Sequence, residues 1–412
     1  VNSIYQRYSY SMGIFALYVG IFALPFSRLV VNYALAMATV CVIFSGQWRS
    51  CLRWIWEYRL IRAMLAFLLL VLVGIGYSQA SLGQALQGFG KYAKLLFMIF
   101  LFPYFTLAEV RKRAAAVFLT GVYLCIILYL AQDLGLVEVN VWTDSAKWLF
   151  AEASILGNFI NPIAFSVLEA FAIYLVLTRL SRLNSRKWFW GLLFGLGCYH
   201  LFVINIERTG MLCGLVLFGL FILQRLKWQW AVVVVLIVLP AVFGGLYYKS
   251  TNFAVRVGAV KHDLRAYREG RVETSIGLRF SFWHNTWGLI KQAPWFGHGT
   301  GSFKTLYAKL GAITASPGVP LGDPHNEFIL IACEWGALGL IAYLGWLLVL
   351  WREARFLPVQ EQHLAQALII TIIVSSLTHV VMYTNATGSL FVLSICALYP
   401  TKKSLGEPKS IP

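Results

Sequence analysis

Apolar residues in this chain fall in long, nearly unbroken runs rather than in the short alternations of a soluble core. A helix needs about 20 mainly apolar residues to cross a bilayer. Twelve runs match or approach that length, near 10–26, 29–46, 61–78, 91–107, 113–132, 159–178, 188–206, 209–224, 229–247, 324–350, 362–384 and 387–400. The first, fourth, eighth and last are the shortest. Basic residues punctuate alternate connections: Arg49, Arg53, Arg59 and Arg62; Arg111, Lys112 and Arg113; Arg179, Arg182, Arg186 and Lys187. Arg225 with Lys227, Arg352 with Arg355, and Lys402, Lys403 and Lys409 continue the series. The positive-inside rule makes these loops cytoplasmic. The opposite loops are short or acidic, as in the one carrying Glu138, Asp144 and Glu152. An even number of spans puts both termini in the cytoplasm. The first run lacks the basic n-region and small-residue cleavage site of a removable signal peptide, so it is expected to remain as a span.

Composition sharpens this picture. Of 412 residues, 59% are apolar and only 12% charged, against about 25% charged in an ordinary soluble domain. Mean hydropathy is +0.71. A soluble chain of this kind would expose too much apolar surface, and a disordered one would be polar and poor in aromatics. The expected class is an all-α polytopic integral membrane protein, one domain over 1–412, embedded among membrane lipids and without a nucleic-acid partner. The seven cysteines include no C-x-x-C pair and sit mostly inside apolar runs, so they read as small hydrophobes.

One segment breaks the pattern. Residues 248–323 form a single long loop on the outer side, between the ninth and tenth spans. Ten basic residues, among them Lys261, Arg265, Arg268, Arg271 and Arg279, face four acids, Asp263, Glu269, Glu273 and Asp323. Long loops are exported regardless of charge, and the excess suits anionic headgroups or phosphates; an ordinary solvated face is the simpler alternative. Within the loop, 253–271 has the spacing of an amphipathic surface helix. Residues 278–292 predict a second helix, dense in aromatics. Trp283, Trp287, Trp295 and Phe296 suit either contact with sugars and isoprenyl chain or anchoring at the interface.

Three stretches at the outer face carry candidate chemistry. Glu207-Arg208-Thr209-Gly210 is a short turn that holds Arg208 at the membrane interface, where charge is costly unless partnered. Snorkelling beside Glu207 is the plain alternative. Gly277-Leu278-Arg279 opens the aromatic helix. An arginine there opposes the helix dipole unless both face one anion. The third stretch runs from Pro294-Trp295-Phe296-Gly297-His298-Gly299-Thr300-Gly301 to Asp323-Pro324-His325-Asn326-Glu327. Its alternate glycines permit backbone approaches closed to other residues. Pro324 is a favoured first-turn residue, which places His325 at the outer mouth of the tenth span. Glu169 lies mid-span and is a functional candidate by position, or half of a hydrogen bond between helices. His284 and His298 are outer-face reserves; the remaining histidines, His379 included, carry no role of their own.

His325-Asn326, nine residues, then Gly336-Ala337-Leu338-Gly339 resembles the H-[NS]-x9-G-x-x-G pattern of the O-antigen ligase family, part of the O-antigen ligase/polymerase superfamily. The Arg208 turn, Arg279 and the PWFGHGTGSF stretch are similar to that superfamily's pattern in the same order, over about 207–339. The layout of twelve spans with one large periplasmic loop resembles the ligases more than the polymerases. The resemblance implies an inverting glycosyltransferase of the bacterial inner membrane working on its periplasmic side. The donor would be O-antigen polysaccharide on undecaprenyl diphosphate, and the acceptor a sugar hydroxyl of lipid A-core.

The residue types suit that chemistry. A departing diphosphate gathers negative charge, and arginine stays charged and donates bidentately; Arg208 and Arg279 take this role. Histidine titrates close to neutrality, so His325 suits the base that accepts the acceptor's proton, or a cation donating to phosphate. Lys261, Arg265, Arg268 and Arg271 would steer the phosphorylated acceptor, with Asn326, Gly299 and Gly301 as further substrate contacts. No cofactor and no metal is expected. Asp323, His325 and Glu327 stand at i, i+2, i+4, but hard cations want several carboxylates together. A polymerase or a protein O-oligosaccharyltransferase would share the chemistry and change the acceptor. A lipid or glycan transporter is the rival of another class, though such proteins usually carry internal repeats and ionisable or broken helices at the midplane, whereas here the informative residues cluster at one outer face and the interior spans are nearly charge-free.

Overall fold

The apolar runs fold as helices, and no strand occurs among the described residues. A computed structural model of the chain describes residues 2–136, 161–182, 186–205, 207–249, 251–271, 274–310 and 323–400. Glu138, Asp144, Glu152, Glu273, Lys402, Lys403 and Lys409 lie outside the described residues. Helices α1 (Asn2–Ala23) and α2 (Arg28–Phe44) pack along each other. The Ser27 hydroxyl caps α2 by accepting from Val30 N–H. Next come α3 (Trp48–Glu57), α4 (Arg59–Gly76) and α5 (Leu82–Ala93). A 3-10 turn at Lys94–Leu96 carries α5 into α6 (Phe97–Phe105). Then follow α7 (Ala108–Asp133), α8 (Pro162–Leu180) and α9 (Lys187–Tyr199), which ends in a π turn, His200–Ile204, before α10 (Arg208–Arg225). A second π turn, Val234–Val238, separates α11 (Trp228–Val233) from α12 (Leu239–Lys249). The long loop holds α13 (Thr251–Arg268), α14 (Ser275–Gln292) and α15 (Phe303–Lys309). The chain finishes with α16 (Glu327–Ala354), α17 (Val359–Ser376) and α18 (Asn385–Leu398).

Each of the twelve apolar runs thus has a helical counterpart. Among the described residues seven segments are long and apolar enough to span a membrane: α4, α5 with α6, α7, α8, α9 with its π turn, α10 and α16. The α2–α3 pair would be an eighth, but it bends by 102°. The other runs fall short for local reasons. Helix α18 has only 14 residues, and α17 opens on the polar Gln360-Glu361-Gln362-His363.

Helix α8 is the axis of the bundle. Asn161 caps it and Pro162 fills its first position, where the missing N–H costs nothing. It is apolar on every face, which suits burial on every side. It packs against α7, α9, α10, α17 and α18. The seven cysteines are free thiols, six of them buried.

Two elements depart from the sequence reading. The basic stretch around Arg49 and Arg53, read as a loop, is the amphipathic α3. Its Trp48, Leu52 and Trp56 are exposed, as in a helix lying in the interface plane. Helix α5 begins at Leu82, nine residues before the expected run, because Ser81 and Gln84 form a capping box there.

Helix α16 is broken in its middle. Gly336 adopts φ 61° and ψ −156° in mid-helix, a conformation costly for any residue with a Cβ. In a membrane, backbone groups freed by such a break must be satisfied by protein. The Pro294–Gly299 segment does this. His298 N–H donates to Cys333 O at 3.0 Å and Gly299 N–H to Glu334 O at 2.8 Å. In return Ala337 N–H donates to Pro294 O at 2.8 Å and Leu338 N–H to Trp295 O at 3.2 Å. A Cβ on Gly336 would overlap the Trp295 backbone. The glycine-rich loop and the helix break are therefore one structural unit.

Candidate functional site

Arg208 is the first residue of α10, with Glu207 at the N-cap. Its place is set from the core. Glu169, fully buried in α8, lies 2.6 Å from His200 Nδ1. Its second oxygen accepts from Asn205 Nδ2 at 3.1 Å. Asn205 Oδ1 in turn accepts the Glu207 N–H at 2.9 Å. The mid-span Glu169 thus anchors the turn that carries Arg208. The arginine does not pair with Glu207, the partner considered from sequence. Its Nη1 donates to Asp263 Oδ2 of α13 at 3.1 Å.

Arg279 stands on α14, which starts at Ser275 with Thr274 accepting from Gly277 N–H. It therefore sits in the second helical turn, deeper than its expected place at the helix opening. Burial lowers its pKa, the Glu207 carboxylate opposes that shift, and Arg208 adds to it. Burial likewise raises the Glu207 carboxyl, against the pull of Arg279 and then Arg208. Glu207, Arg279, Arg208 and Asp263 form one group of two cations and two carboxyls.

His325 stands at the mouth of α16, one residue before its N-cap. Pro324 does not open the helix. Asn326 is the N-cap, its Oδ1 accepting from Ile329 N–H at 3.1 Å, because an Asn cap satisfies an orphan donor that proline cannot. His325 precedes it in the left-handed region, at φ 52°. The Asp323 carboxylate holds this turn by accepting His325 N–H at 2.9 Å. The imidazole is half-buried, with Nδ1 3.4 Å from Asp323 Oδ1 and its ring beside Phe282 of α14. Trp283 Nε1 donates to Pro324 O at 3.1 Å, tying α14 to this turn.

The turn between α17 and α18 joins the two halves. Thr378 bonds Thr209, next to Arg208, at 2.9 Å. Leu377 O accepts from Asn326 Nδ2, next to His325, at 3.1 Å. The same turn carries His379, for which no role is expected from sequence. It is buried, its Nε2 bonded to the Thr384 hydroxyl at 3.0 Å and its Nδ1 without a partner among the described residues. Burial holds this imidazole neutral, with its pKa down at about 4; Asp323 pulls the other way, and His325 and Arg279 reinforce it. Arg208, Arg279 and His325 therefore gather at one end of the bundle, around a turn remote in sequence from all three.

The remaining expected residues have distinct settings. Lys261, Arg265, Arg268 and Arg271 are exposed, and Arg271 is paired with Glu269. Gly299 and Gly301 approach protein backbone, that of Ser78 and of Gln84. Asn326 spends its side chain on the cap and on Leu377. His284 is exposed, whereas His298 has both ring nitrogens engaged, with Leu289 O and Gln79 Nε2. Among the described residues no three His, Cys, Asp or Glu groups converge as a metal cage. Of the i, i+2, i+4 set, Glu327 turns inward to accept from Tyr92 OH at 2.7 Å and Met382 N–H at 3.0 Å.

Residues 191–344 match the family described as O-antigen ligase. The match runs from α9 into α16 and encloses Arg208, Arg279 and His325. An uncharacterised protein of Haemophilus influenzae is 31% identical over 109 residues, 24% of this chain and 26% of that protein. The similarity thus spans about a quarter of that relative.

Proposed function

The chain belongs, through residues 191–344, to the O-antigen ligase family, whose members are glycosyltransferase-like membrane enzymes, and from that premise we propose that it is a ligase acting on a lipid-linked glycan. The donor in this reading is O-antigen on undecaprenyl diphosphate, presented at the periplasmic face of the bacterial inner membrane. The acceptor is a hydroxyl of the lipid A-core. The observation that carries the reading is the gathering of two half-buried arginines and one histidine at a single end of an apolar bundle. An apolar bundle holds an isoprenyl chain in place, and guanidiniums at its mouth meet the diphosphate.

The steps follow from these groups. The acceptor hydroxyl attacks the anomeric carbon from the face opposite the diphosphate. The carbon–oxygen bond to the diphosphate breaks as the new glycosidic bond forms, with inversion. The hydroxyl proton passes to His325. Arg208 and Arg279 donate to the leaving oxygens, where preorganised donors count most. In this reading the two guanidiniums take the place of a divalent cation, and the reaction proceeds without metal.

The test uses purified full chain in EDTA with undecaprenyl diphosphate-linked glycan and rough lipopolysaccharide. We expect lipopolysaccharide bearing the glycan from wild type and none from His325→Ala. Elongation of the lipid-linked glycan instead would make the protein a polymerase. A rate that rises with pH supports His325 as the base; a rate that falls assigns it to phosphate as a cation. Activity lost in EDTA and restored by Mg²⁺ would overturn the metal-free mechanism.

A further inference from the structure

One cavity of the bundle lies far from the candidate chemistry. This cavity of about 310 Å³ opens between α1, α6, α7, α8, α17 and α18, within the size range of small-ligand pockets. Its body is apolar, walled by residues such as Phe118, Phe171 and Leu393. Its rim carries three cations, Arg111, Lys112 and Arg179, against one carboxylate, Glu361.

Its dimensions point to an occupant. On α7 the lining runs from Ala108 to Phe118, about 15 Å of helix, close to the hydrocarbon depth of one leaflet. The cations cluster at one end of that length. Arg111 is fixed there by donating through Nη1 to Phe105 O at 2.6 Å and Thr106 O at 2.9 Å. Five donors on a guanidinium leave further groups for a ligand. Arg179 stacks over Trp190 at 5.5 Å, and neither it nor Lys112 forms an ion pair among the described residues. This is the opposite end from Arg208. Gly210 packs on Ser166 of α8, and Arg179 lies about 20 Å further along that helix. The cavity is therefore not the seat of the reacting diphosphate.

We propose that this cavity binds one anionic phospholipid, its acyl chain between α7, α8 and α18 and its phosphate among Arg111, Lys112 and Arg179. An apolar slot one leaflet deep suits a chain, and a rim with an excess of positive charge selects an anionic headgroup over a zwitterionic one.

The full chain, purified and delipidated in detergent, is titrated with phosphatidylglycerol, phosphatidylcholine or inorganic phosphate while Tm and retained lipid mass are read. Phosphatidylglycerol should raise Tm and stay bound as one molecule, with phosphatidylcholine giving a clearly smaller shift. Lys112→Gln with Arg179→Gln should weaken phosphatidylglycerol binding about tenfold or more and level the two lipids. Ala115→Phe, which narrows the slot without changing charge, should abolish retention. Equal shifts from both lipids, or an unchanged double variant, would overturn the proposal. An equal response to phosphate alone would make the rim an anion site and also overturn it. The glycan assay is read separately, so neither result depends on the other.

Discussion

Arg208 and Arg279 sit half-buried beside carboxyls, whereas Lys261, Arg265 and Arg268 stand exposed on α13 at the same end of the molecule. A cation withdrawn from water loses hydration and persists only with partners. Asp263 and Glu207 are those partners, and the Glu169–His200–Asn205 chain fixes the turn beneath one of them. The exposed cations keep their hydration and need no such support. Fixed, partly dehydrated donors favour a transition state, since they need not reorganise as charge develops. Solvated, mobile ones act at a distance and are screened by salt.

The largest effect is expected at the fixed pair. Arg208→Ala and Arg279→Ala should each lower kcat by about 10²–10³, the usual loss for one preorganised donor, with Tm and helical content retained. A folded variant that transfers at close to the wild-type rate would remove that arginine from the mechanism. Asp263→Asn probes the pair more gently. It leaves an acceptor beside Arg208 and takes away the competing charge. Partly exposed pairs are worth about 0.2–1 kcal/mol, so KM for the lipid-linked donor should fall by up to about fivefold. A higher KM would show that Asp263 orients Arg208 for its ligand rather than competing with that ligand.

The same comparison separates what the sequence discloses from what it hides. Arg208 and His325 stand out in the sequence because each lies at the edge of an apolar run, and Arg279 because it opens an aromatic-rich stretch of the long loop. Both loop helices are legible from their spacing, α14 and α13 alike. Asp263 is not legible as a partner, since nothing local distinguishes it from Glu269, and only the packing of α13 brings it to Arg208. His379 is hidden inside what reads as one apolar span. The chain leaves the helix after Ser376, and besides the neighbouring Thr384 the charged groups that face His379 are Asp323, His325 and Arg279, each more than fifty positions away. Gly336 gives no warning either, because glycines are common in membrane helices and the break is sustained by Pro294–Gly299. The amphipathic α3 was masked by its arginines, which read as a cytoplasmic loop when counted without regard to the tryptophans between them.

The smallest effect belongs to the exposed set. Lys261→Glu with Arg265→Glu should leave kcat unchanged at saturating acceptor and raise its KM several-fold at low ionic strength. The increase should fade as salt approaches about 1 M, where the screening length falls to about 3 Å. Kinetic measurement across a salt series checks both parts at once. A loss of kcat that salt does not relieve would place these residues with the fixed pair, and the division between held and solvated cations would fail. No change at any salt would leave α13 contributing to the site through Asp263 alone.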